Sequence, residues 1–243
     1  FKVFLREDIF RAVELPNKSH LRAESVRLAW NDQYDYLRLV IKQAWRSEAF
    51  RDLVHSRFGG QTRPAGRRAF NFSGTEIEYW PDDIVLGVWQ LLVGERMSGG
   101  KTAFTHNWVW TRLADANEDH APRHLINLFE EAVAAERLLQ PGTPNNRVII
   151  RPKALNDALD PASEGAVDAI REEYGELEPL LERLQNDIGT TPFEDNKLLD
   201  DGSVADVVNL AREVGVIGRG IDERYRVPEL YRRALKMNRK GQQ

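Results

Sequence analysis

From Leu125 onward apolar residues return every three or four positions, as Leu125, Ile126, Leu128, Phe129, Ala132 and Val133. That spacing predicts a helix with one buried stripe. Pro122, with φ already near the helical value and no N–H to lose, suits its first turn. Tyr34, Leu37, Ile41, Ala44 and Trp45 predict an earlier helix, capped by Asn31 with Asp32 in the first turn. A second short helix, Glu48 to Phe58, closes at Gly59-Gly60. Pro81 opens a helix with Ile84, Val88, Leu91 and Leu92 inward, and after a turn from Gly94 to Gly100 another runs from Phe104 to Leu113.

The stretch Gln140 to Asn146 is turn chemistry throughout and marks a boundary. Beyond it, Val148-Ile149-Ile150-Arg151-Pro152 leads into a short helix, and Asp160-Pro161 restarts one that reaches Tyr174, with Gly175 as its C-terminal cap. Leu177, Leu180, Leu181 and Leu184 form the inner face of the next. Thr191-Pro192-Phe193-Glu194 fits a capping box, and Ser203 caps a helix with the stripe Val204, Val207, Val208, Ala211 and Val214, ended by Gly215. Val216-Ile217 and Arg224 to Val227 then read as two strands around a tight turn, and Pro228 starts a closing helix through Leu235. At the other end, Phe1 to Arg6 reads as a buried strand with no initiator Met and few strands to pair with. This predicts a fragment of a larger protein. Helical turns from Glu7 to Val13 and an extended piece from Ser25 to Trp30 follow it.

With 42% apolar and 30% charged residues, the 243-residue chain belongs to the globular class. No run approaches the roughly 18 apolar residues of a membrane span, and no signal-peptide pattern is present. The absence of cysteine excludes a disulfide scaffold and fits a reducing cytoplasm. A net charge of −4 restricts any nucleic-acid surface to a local patch. All six tryptophans precede residue 111, which predicts an aromatic core in the first half.

The candidate chemistry is sparse. Gly99-Gly100-Lys101-Thr102 resembles the tail of a phosphate-binding loop, but the required earlier glycine is Glu95. His120 and His124 have metal-ligand spacing, but Pro122 between them starts the helix inside that interval. No Ser, His and acid grouping shows a nucleophile signature. Arg123 lies in a first helical turn, against the helix dipole, and an anion is one reason to place it there; a plain surface arginine is the other. The loop from Gly59 to Phe72 carries Arg63, Arg67 and Arg68 with no acid, so it is either solvated or faces phosphate. From Arg219 onward eight basic residues oppose three acidic ones. Helices followed by a small hairpin are the layout of a winged helix.

Several of these segments together resemble the C-terminal part of bacterial STAND and AAA+ P-loop ATPases. Lys2-Val3-Phe4-Leu5-Arg6 is similar to the sensor-1 strand, although Leu5 stands where Thr or Ser is common. Asn31 to Trp45 resembles the first lid helix, and Pro122-Arg123 with its apolar helix resembles sensor 2, although Ala121-Pro122 replaces a glycine-containing stretch. The region from Val148 is similar to the winged helix that follows the lid. The resemblance implies a mainly α fold: the end of an α/β nucleotide-binding domain over 1–20, a helical lid over 21–140 and a winged-helix domain over 147–243. It implies ATP and Mg bound mainly by residues outside this chain, with Walker motifs absent and no activity alone, and Arg6 and Arg123 approaching a phosphate. It also implies homo-oligomerisation through the ATPase domain, no membrane, and a winged helix that contacts a protein partner or DNA. For Arg6 the alternative is an ion pair with Glu7 or Asp8. In the DNA case Arg219, Arg224, Arg226, Arg232, Arg233 and Lys236 hold the phosphate backbone. Against it, the helix from Val204 to Gly215 offers one cation, Arg212, beside Asp206 and Glu213.

Overall fold

The computed structural model describes residues 13–14, 16–24, 30–59, 70–72, 75–97, 103–139, 148–198 and 204–240. The expected strand at Phe1 to Arg6, the turns from Glu7, the piece from Ser25 and the Ser203 cap lie outside these, as do Arg63, Arg67 and Arg68. The chain is mainly helical, as its periodicity predicts.

Its helices are α1 Lys18–Ala23, α2 Gln33–Ala44, α3 Glu48–Phe58, α4 Asp82–Val93, α5 Thr105–Leu113, α6 Pro122–Leu138, α7 Pro152–Asp157, α8 Leu159–Glu173, α9 Glu178–Arg183, α10 Val204–Glu213 and α11 Glu229–Arg232. Asp32, one residue later than expected, caps α2: its carboxylate accepts the amides of Tyr34 at 2.7 Å and Asp35 at 3.1 Å. Tyr36, Leu37, Val40 and Ile41 turn inward and pack on α4 and α6. The ring of Trp45, at the end of α2, meets those of Phe72 and Trp80, from the segment between α3 and α4, edge to face or tilted, with Trp45 and Trp80 centroids 4.9 Å apart. Trp80, Trp89 and Trp108 are buried, so the aromatic core falls where the tryptophan distribution placed it.

Gly94 (φ +84°) turns the chain out of α4, and Thr105 fastens the return. Its hydroxyl donates to the Gly94 carbonyl at 2.6 Å and accepts the Trp89 indole N–H at 2.9 Å. The flanks of the 140–147 stretch are held together across it. The amide of Ile150 donates to the Leu92 carbonyl at 2.8 Å. Arg151 bonds Glu136 through both its amide, at 2.8 Å, and its Nε, at 2.7 Å. Among the described residues an apolar cluster runs from Tyr36 to Met237, with α6 packed on α7 and α8 and α8 packed on α11.

The later half corrects several boundaries. Gly175 begins a short 3₁₀ turn, and Tyr174 is the residue that ends α8. The leucine stripe behaves as expected: Leu177, Leu180, Leu181 and Leu184 are all buried, and α9 runs on into a π-helical turn at Leu184–Ile188. Thr191-Pro192-Phe193-Glu194 is not a capping box. Thr191 lies in a short strand, β1 Thr190–Thr191, where its hydroxyl accepts the amide of Val227 at 3.1 Å. Phe193 exchanges backbone bonds with Tyr225. Strands β2 Gly218–Arg219 and β3 Tyr225–Arg226 form the hairpin, two residues later than expected at its start, because Val216 and Ile217 are buried beneath the end of α10. The closing helix is one turn long, Glu229–Arg232, followed by turns to Lys236 and a strand β4 Asn238–Arg239 parallel to β1. Among the described residues no helix is long and apolar enough to cross a membrane.

Candidate functional site

Arg123 stands where the sequence placed it, in the first turn of α6, half-exposed. Its Nη1 meets Glu173 Oε1, at the end of α8, at 2.6 Å. The pair therefore joins the start of one long helix to the end of another. Beneath it His124 is buried, with Nδ1 lacking any hydrogen-bond partner. Burial, assisted by the Arg123 charge, holds this imidazole down at about 4. Tyr231 of α11 is also buried; burial, together with the nearby Asp115 and Glu173 carboxylates, pushes its hydroxyl well above the usual phenol range.

Asp115 organises the loop before α6. Its carboxylate accepts the amides of Asn117 at 2.7 Å and Asp119 at 2.9 Å. Asn117 in turn donates to the carbonyls of Arg212 and Glu213, each at 3.1 Å, closing the end of α10. Gly215 (φ +76°) must be glycine here, because a Cβ would fall 2.3 Å from Asp115 Oδ2. His120 is not placed for metal binding. It stacks on Trp110 with centroids 3.4 Å apart, and its Nε2 bonds the Trp110 carbonyl at 3.1 Å. Among the described residues no three of His, Asp or Glu gather to hold a metal.

The predicted nucleic-acid residues are largely occupied by acids. Arg219 pairs with Asp195 at 2.9 Å, and Arg224 with Glu194 at 3.1 Å. Arg226 grips both oxygens of Asp222, at 2.8 and 2.9 Å. Arg232 and Arg233 converge on Glu229, with Arg233 also reaching Asp160 at 2.7 Å. Lys236 is exposed, at φ +52°. Arg6 lies outside the described residues.

Glu229 and Arg112 escaped the sequence reading. Glu229 is almost fully buried, and its two oxygens take Arg232, Arg233 and Arg239 at 2.7 to 3.3 Å. Burial pushes this carboxyl up, but the hydrogen bonds and charges of its arginines prevail and hold it at about 2. Arg112, at the end of α5, lies over Trp108 at 4.7 Å, and its buried Nε has no partner. Burial, with the charges of Arg239, Arg233 and Arg232, pulls its pKa down against the opposing charge of Glu229.

Compared with known proteins, the chain matches no family model, no curated protein and no solved structure.

His124 carries a pH signature. Its folded pKa, about 4, lies below the ordinary 6.5, so the unfolded chain binds the proton first as pH falls. Stability is expected to drop by about 1 kcal/mol per pH unit between those two values. Urea midpoints measured across that range should fall for the native sequence and flatten in His124→Phe. A slope unchanged in the variant would assign the effect to other groups.

Proposed function

We propose that this chain is the helical lid and winged-helix region of an ATP-dependent P-loop NTPase switch, in which Arg123 exchanges Glu173 for a nucleotide phosphate. The observation that carries this reading is the Arg123–Glu173 pair itself. A half-exposed guanidinium at a helix start, held by one carboxylate, can pass to a ligand of higher charge. Release of Glu173 would free the end of α8, which packs on α11 and so reaches the hairpin region. The element order α9, β1, α10, β2, β3, with Phe193 bridged to Tyr225, supports the winged-helix part. ATP and Mg would be held mainly by residues outside this chain.

Hydrogen exchange of the chain in Mg-ATP tests it. Protection is expected at residues 121–126 and altered exchange at 173–177, both lost in Arg123→Gln and strengthened in Glu173→Gln, with turnover by the chain alone below detection. An identical response in Arg123→Gln would overturn the reading. Nucleic-acid binding through the hairpin is the weaker alternative, because Arg219, Arg224 and Arg226 would each have to leave an acid partner.

A further inference from the structure

We infer that Arg112, Arg232, Arg233 and Arg239 form a binding site for a phosphate group, independent of Arg123. Three guanidinium groups, Arg232 of α11, Arg233 just after it and Arg239 of β4, are gathered around Glu229, with Asp160 as the second carboxylate among their partners, and Arg112 stands on α5, which packs on α11. Both Glu229 oxygens are already taken, each by two arginines. Nothing remains for Arg112, whose contact is the face of Trp108 and whose Nε is buried without an acceptor. A half-buried guanidinium left unpaired beside three others is unfavourable unless something supplies negative charge and acceptor oxygens. Two positive charges stand in excess at this place, the charge that a phosphate dianion neutralises. Its oxygens are arranged for the planar fork of arginine, and several guanidinium groups can share them. A single added carboxylate would leave half of the excess unbalanced. Lys236, exposed on the turn between α11 and β4, adds a further cation to the same segment.

The probe is inorganic phosphate, titrated calorimetrically into the full chain against chloride at matched ionic strength. Saturable binding is expected, about tenfold weaker or more in Arg112→Gln and in Arg239→Gln, and unchanged in Lys42→Gln, a change at an exposed cation on α2. Circular dichroism checks that each variant is folded. Should Arg112→Gln fail that check, Arg239→Gln, a change at a half-exposed side chain, decides the matter. Absence of saturable binding, or native affinity in the folded variants, overturns the proposal. So does a loss confined to Arg123→Gln, which would locate the phosphate at the α6 start and leave the switch reading standing alone.

Discussion

Trp89→Ala is expected to lower the unfolding free energy by about 3 to 5 kcal/mol, the range for removing a large aromatic from a packed core. Trp89 has no exposed surface, and its ring meets Phe129 edge to face at 5.4 Å. It links three helices: α4, which carries it, α6 through Phe129, and α5 through the indole N–H on Thr105. The variant loses the apolar burial and leaves the Thr105 hydroxyl with one fewer partner. Urea unfolding followed by far-ultraviolet circular dichroism measures the difference. A loss below about 1 kcal/mol would place Trp89 outside the folding core.

Glu229→Ala is expected to cost a similar amount, about 3 to 5 kcal/mol, by a different route. It removes little apolar surface, but it leaves Arg232, Arg233 and Arg239 without their common counter-charge. The pH dependence distinguishes this electrostatic cause from simple loss of packing. The folded carboxyl sits at about 2, below the ordinary 4.5, so its contribution is full above that ordinary value and disappears as pH falls through the folded one. The native chain should lose stability in that acid window, which begins where the His124 window ends and reaches lower, and Glu229→Ala should lose less there. Equal acid sensitivity in both would show that other carboxylates govern the transition.

The helices were legible where their reason was local. The spacing of Leu177, Leu180, Leu181 and Leu184 is enough to aim one face inward, and all four are buried. Asn31 and Asp32 are both competent caps, and only the register of α2 decides for Asp32. Thr191-Pro192-Phe193-Glu194 misled because its partners, Tyr225 and Val227, are distant in sequence. A capping box and a strand edge can begin with the same residues. The candidate site follows the same division. Arg123 announces itself by standing against a helix dipole, whereas its Glu173 partner required the packing of α6 on α8. Arg112 looks ordinary in sequence and matters only once α11 is laid beside α5. The hairpin arginines read as a basic run because Asp195 and Glu194, which balance two of them, come from the short 3₁₀ turn after β1 and its cap, on the far side of α10 in sequence.

The Ile150 amide on the Leu92 carbonyl and the Arg151–Glu136 clamp fix α7 to the helices before it. Together with the apolar cluster that runs from Tyr36 to Met237, they give the two halves of the chain a common core, so unfolding of one is expected to take the other with it. Urea curves followed by tryptophan fluorescence, which reports the first half, and by far-ultraviolet circular dichroism, which reports both, should therefore coincide.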